Sequence, residues 1–123
     1  MRVLAIDDSR TIRDLVKLTL KREGFDAILA EDGQHGIETL DEMESPPDAI
    51  LTDINMPRMD GFGFIQAVRK ISAYDGIPIL VLTTESAKEM RVRARSAGAT
   101  GWIVKPFDPA RLVGALRTVT GLV

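Results

Sequence analysis

The chain has 123 residues, enough for one domain that buries roughly two thirds of its unfolded surface and too few for a second. Its 18 acidic and 16 basic residues leave a net charge of −2, which offers no basic footprint for nucleic acid, and no run approaches the roughly 18 apolar residues of a membrane span. Cysteine is absent, which removes disulfides, thiolate chemistry and Cys-based zinc sites, and the start MRVLAIDD lacks a signal-peptide pattern, so cytoplasm is the expected compartment.

Five short apolar runs are predicted strands. The first, RVLAI at 2–6, runs straight into two adjacent acids, Asp7 and Asp8. A helix is predicted from about Arg10 to Glu23, with Ile12, Leu15, Val16 and Leu20 on one face and Gly24 as its C-cap. DAILA at 26–30 is the second strand. The second helix, near 33–44, offers Ile37, Leu40 and Met43 and is stopped by SPP at 45–47. DAILTD at 48–53 is the third strand and ends in Asp53. The third helix presents Phe64, Ile65, Val68 and Ile71 at helical spacing. PILVLT at 78–83 is the fourth strand, ending in Thr83. The fourth helix, near 86–97, turns only Ala87, Met90, Ala94 and Ala97 inward. TGWIV at 100–104 is the fifth strand, followed by Lys105. The last helix opens with Asp108 as N-cap and Pro109 at its first position, then presents Leu112, Val113, Leu116 and Val119.

Most of these strands lack polar alternation, which suits burial on both faces. Five βα units call for an α/β fold, an open parallel sheet with helices on both sides; they are too few for an eight-stranded barrel. The functional crevice of such a sheet lies at the carboxyl ends of its strands. Asp7, Asp8, Asp53, Thr83 and Lys105 all fall on that edge.

Three crowded carboxylates raise one another's pKa unless a cation compensates, so a hard divalent ion held through oxygen is the expected partner. Mg²⁺ suits better than Ca²⁺, because it takes only one or two protein carboxylates and keeps waters and a phosphate oxygen, leaving one acid free. Lys105 adds a positive point charge and Thr83 a hydroxyl, completing a cradle for phosphoryl oxygens. Asp53 is the predicted nucleophile, since it ends a central strand and precedes INMPRMDGFG, whose Pro57 and Gly61 mark a turn beside the site. An aspartyl phosphate is the implied product.

The motifs IDDS, LTDINMPRMDG, LTTE and WIVKPF, in this order and spacing, resemble the receiver domain of two-component response regulators over the whole chain. The nearest likeness is to receivers that stand alone in chemotaxis signalling. The resemblance implies a doubly wound, flavodoxin-like (βα)5 fold with strand order 2-1-3-4-5 in one domain spanning 1–123. It makes Asp53 the phosphoacceptor, Asp8 a direct Mg²⁺ ligand, Asp7 a ligand through water, and the Asn55 backbone carbonyl a further ligand. Lys105 would contact the phosphoryl group, with a cis bond to Pro106. Thr83 would be the switch hydroxyl and Trp102 the switch aromatic, a position more commonly Tyr or Phe. Thr84 is larger than the Ala common after the switch hydroxyl and narrows access for a phosphatase or histidine partner.

The resemblance implies a sensor histidine kinase or a histidine phosphotransfer protein as phosphoryl donor. The output face is that of helix four, strand five and helix five, where Lys88, Arg91, Arg95 and Trp102 suit an acidic partner or self-association. With no output domain after Val123, the expected target is another protein, such as a flagellar motor switch component. Asn55 and Glu85 match fast-cycling chemotaxis receivers. A monomer is expected, with dimerisation on phosphorylation left open. A phosphorelay intermediate or phosphate sink is the alternative of the same class. A Mg²⁺-dependent small-molecule phosphatase of the haloacid dehalogenase type would want an acid at position 55, where Asn stands. A flavin module would want a Ser/Thr-rich loop after the first strand, where acids stand. His35, the one histidine, reads as a solvated residue at the start of the second helix and cannot build a multi-histidine metal site. The glycines of DGFGFI lack nucleotide-binding spacing.

Overall fold

A computed structural model describes residues 1–121, so the domain limit read at Val123 lies outside the described residues. Strands and helices alternate along the chain: β1 (Arg2–Ile6), α1 (Arg10–Arg22), β2 (Asp26–Ala30), α2 (Gly33–Glu42), β3 (Ala49–Thr52), α3 (Gly61–Arg69), β4 (Ile79–Thr83), α4 (Lys88–Ala97), β5 (Gly101–Val104) and α5 (Pro109–Thr120). A short 3-10 turn at Ser72–Tyr74, not anticipated from the sequence, joins α3 to β4. All neighbouring strands pair parallel, in the order β2-β1-β3-β4-β5.

The sheet is covered on both faces because each strand sends alternate side chains to opposite cores. Leu4, Ile6, Ile50 and Ile79 join Leu40, Phe64, Ile65 and Ala94 on the face of α2, α3 and α4. Val3, Ala5, Leu51 and Leu80 join Val16, Leu20, Leu112 and Leu116 on the face of α1 and α5. Each fully buried aliphatic side chain stabilises the fold by about 1.5–3 kcal/mol. No helix of the described residues is long and apolar enough to cross a membrane.

Three sequence expectations need correction. The α1 cap residue is Glu23, and Gly24 sits one step beyond at φ 80, with its N–H on Lys21 O (3.1 Å) and the Phe25 N–H on Leu20 O (3.0 Å). Leu15 and Ile71 are 45% and 36% exposed, because α1 buries the narrower stripe Val16, Thr19 and Leu20, and α3 ends at Arg69 before Ile71. Ala87 is exposed too, being the N-cap of α4 rather than part of its buried face.

The two ends of α4 differ. Its N-cap Ala87 provides no side-chain hydrogen bond. At its other end Arg69 donates to Gly98 O through Nε (3.0 Å) and Nη2 (2.9 Å), and through Nη1 to Tyr74 O and Asp75 O. Burial pulls the pKa of this guanidinium down, with Asp75 opposing the shift.

Candidate functional site

The register sets the site. Ile6 pairs Thr52, so Asp7 and Asp53, each one residue further on, lie side by side beyond the sheet edge. Thr83 pairs Val104, which places Lys105 at the same rim. Carboxylate oxygens of Asp7, Asp8 and Asp53 lie within 4.8 Å of one another. Asp7 and Asp53 are buried, whereas Asp8 faces solvent.

Lys105 Nζ reaches between the buried pair, 2.6 Å from Asp7 Oδ2 and 2.9 Å from Asp53 Oδ2. The Lys105–Pro106 bond is cis, as the motif implied. Burial pushes the Asp7 pKa up, and this outweighs the Lys105 ammonium and the Ser9 N–H that favour the charged carboxylate. Burial also opposes the Lys105 charge, but its bonds to the two carboxylates prevail and hold its pKa above the usual lysine value. One ammonium thus faces two carboxylates, with a third alongside. Among the described residues no buried side-chain nitrogen or oxygen lacks a partner.

Every polar atom of Asp7 is held. Its N–H donates to Ala30 O (3.1 Å), its carbonyl accepts from Arg13 Nη1 (2.8 Å), and Oδ1 accepts from the Ser9 N–H (2.9 Å). Asp53 Oδ1 accepts from the Ile54 N–H at 2.6 Å, which leaves Oδ2 to Lys105. Hard oxygen donors at this spacing, two of them on carboxylates held by hydrogen bonds, fit a small divalent cation such as Mg²⁺.

Above the acids, the Asn55 amide donates to Glu85 Oε1 (3.1 Å), joining the β3–α3 and β4–α4 loops. Thr83 is fully buried and its Oγ1 accepts the Glu85 N–H at 3.3 Å; no hydrogen bond joins it to Asp53 among the described residues. Thr84 is exposed at the rim. Trp102 is half-buried, and its indole Nε1 donates to Glu85 O (3.1 Å). Glu85 therefore links the acid pocket to Trp102.

Trp102 also lines a groove of about 530 Å³ between α4 and β5, together with Lys88, Arg91 and Arg95. All four residues read as a partner face meet there. Arg93 does not: its guanidinium lies 4.0 Å from the centre of the Phe62 ring, against α3.

His35 is not a free, solvated side chain. It is half-buried and its Nδ1 accepts the Glu31 N–H at 3.0 Å, while its own N–H is capped by Asp32. Sequence reasoning missed Arg13, Asp32 and Arg58. Asp32 Oδ2 and Oδ1 accept from Arg58 Nε (2.8 Å) and Nη2 (3.1 Å), and this contact holds the Asp32 carboxyl below its ordinary pKa. The only sequence signal for Asp32 was its place as an acid just before a helix; Arg58 carried none.

A five-stranded parallel sheet with an acid triad and an inward lysine at its carboxyl edge defines a receiver. The chain belongs to the response regulator receiver domain family, which matches residues 3–117. It is 38% identical over 123 residues to the chemotaxis protein CheY1 of Helicobacter pylori, covering 98% of each chain. Among solved structures it is similar to Vibrio cholerae chemotaxis protein CheY4, with a TM-score of 0.90 at 43% identity over 96% of this chain and 97% of that one. It also resembles the receiver domain of a sensor histidine kinase from Pseudomonas aeruginosa, solved with a magnesium ion coordinated in its active-site cleft. There the TM-score is 0.88 at 25% identity, over 98% and 97% of the two chains.

Proposed function

We propose that this chain is a phosphorylation-controlled switch of chemotaxis signalling that works in the cytoplasm, with 1–123 as one receiver domain. The observation that carries the reading is the position of Lys105 Nζ between Asp7 and Asp53, on the open oxygen of the predicted phosphoacceptor. The chemotaxis assignment is supported by the likeness to CheY proteins along the full chain.

Asp53 acts as the nucleophile. Its carboxylate oxygen bonds to phosphorus as the phosphorus–nitrogen bond of a donor phosphohistidine breaks, and a later attack by water releases inorganic phosphate and regenerates the carboxylate. The donor is a sensor histidine kinase or a histidine phosphotransfer protein. Asp7, Asp8, Asp53 and the Asn55 carbonyl would hold Mg²⁺, which when bound supplies positive charge to the phosphoryl oxygens. The magnesium ion in the Pseudomonas receiver supports this choice of metal. Lys105 neutralises the charge that the acids and phosphoryl group bring together.

The signal leaves through Thr83. Its hydroxyl now meets the Glu85 N–H, and turning toward a phosphoryl oxygen on Asp53 breaks that contact and frees the loop that also holds Trp102. The basic groove of Lys88, Arg91 and Arg95 would then change shape for a downstream protein, such as a flagellar motor switch component, through an acidic segment. A phosphatase reading is weaker, because the side chain at the position that would need an acid is the Asn55 amide, bonded to Glu85.

Intact mass after loading with a small phosphodonor and Mg²⁺ tests the reading, with Asp53→Ala as control. A phosphoryl adduct absent from the variant and lost within seconds to about a minute supports the switch. Persistence for many minutes favours the relay or phosphate sink. No adduct in either protein overturns the receiver chemistry.

A further inference from the structure

We propose that Asp32 and Arg58 are positioning residues for the cation site: their ion pair latches the β3–α3 loop and so fixes the Asn55 carbonyl relative to Asp7. The proposal rests on the reading of that site as a Mg²⁺ centre.

Arg58 has φ 63, in the left-handed region that long side chains avoid. Beside it the Met59 N–H donates to Pro57 O at 2.7 Å, closing a tight three-residue turn. Such strain persists where surrounding structure holds it in place. Two ties do so here. The Arg58 guanidinium forks onto Asp32, which is only 4% exposed and caps α2 through the His35 N–H at 2.8 Å. The Gly33 N–H donates to Met59 O at 3.0 Å, and a Cβ on Gly33 would come within 2.6 Å of that oxygen.

These ties bind the two halves of the acid site together. Asp32 lies two residues after Ala30, whose carbonyl accepts the Asp7 N–H. Arg58 lies three residues after Asn55, in a loop closed at its other end by the Gly61 N–H on Ile54 O at 2.9 Å. One path therefore runs from Asp7 through Ala30, Asp32 and Arg58 to Asn55. An oxygen-ligated Mg²⁺ demands near-ideal geometry, so the separation of these halves sets its affinity.

The test titrates Mg²⁺ into the full chain by calorimetry and measures thermal midpoints without Mg²⁺. Arg58→Gly relieves the positive φ while deleting the fork. Asp32→Asn keeps an oxygen for the α2 cap but removes the charge. Each is expected to weaken Mg²⁺ binding about tenfold while still unfolding as a cooperative, folded chain without Mg²⁺. The double variant should bind no more weakly than either single variant, and Arg58→Lys should recover part of the affinity lost in Arg58→Gly. Wild-type affinity in folded Arg58→Gly, additive losses in the double variant, or no recovery with lysine would overturn the latch. If the wild-type chain itself binds no Mg²⁺, the cation-site reading fails and the latch falls with it.

Discussion

Asn55 and Glu85, 30 residues apart in sequence, are joined by a 3.1 Å hydrogen bond across the mouth of the acid pocket. On the phosphoacceptor reading, this bridge between the two loops would screen a phosphoryl group on Asp53 from water. Glu85→Ala removes it without touching the acids, and a bond worth about 1 kcal/mol translates into a phosphoryl lifetime shortened by about fivefold. Decay of the adduct followed by mass spectrometry checks this; an unchanged or longer lifetime would show that the bridge does not screen the site.

Asp7 gives a pH-dependent prediction. Its pKa is raised by burial above the ordinary 3.8, so it stabilises the fold below that value and loses the contribution as pH rises through the folded pKa. At pH 7 without Mg²⁺, Asp7→Asn should melt at a higher temperature than the wild type. The gain should vanish in acid, where Asp7 is itself neutral. Saturating Mg²⁺ should narrow or reverse the difference, because the wild type, with all its ligands in place, binds the ion more tightly and gains more stability from it. Melting curves at both pH values, with and without Mg²⁺, decide it, and a lower midpoint for Asp7→Asn at pH 7 without Mg²⁺ would refute the argument.

Trp102, the single tryptophan, reports on its own contact. Trp102→Phe deletes the bond to Glu85 O and should cost about 0.5–1.5 kcal/mol in denaturant unfolding. In the wild type, phosphodonor and Mg²⁺ should shift the indole emission to the blue as the ring leaves water. Thr83→Ala should abolish the shift. Emission that ignores the phosphodonor would uncouple Trp102 from the acid pocket.

Gly114 lies exposed within α5, and a Cβ there would meet no atom within 4 Å. Gly114→Ala should therefore stabilise the fold by about 1 kcal/mol, read from urea unfolding, with the phosphoryl lifetime unchanged.

The strands were readable in the sequence because burial on both faces turns each into an uninterrupted apolar run, and their order was implied by the motifs. Asp7, Asp8, Asp53 and Lys105 were readable because each stands at the end of such a run, and the parallel register brings run ends together. Helix faces were less legible. Leu15 and Ile71 keep helical spacing, yet exposure depends on where a neighbouring element stops covering the helix. The Asp32–Arg58 pair was invisible, since neither helical nor strand periodicity relates residues 26 positions apart. His35 was misjudged because a ring accepting a nearby backbone N–H leaves no trace in composition.

Helix α4, tied by Arg69 at one end and without a side-chain cap at the other, would act as a lever with an off-centre fulcrum. Arg69 grips Gly98 at the far end, whereas the turn beginning at Ala87, nearest the acid pocket, has no side-chain cap. Fraying should therefore run as a gradient, with amides at Lys88 and Glu89 trading hydrogen with solvent soonest and those near Ala97 last. Arg91 and Arg95, one turn apart along that lever, would swing through unequal arcs. The groove they line would tilt rather than simply widen, presenting its positive charges to a partner at a new angle.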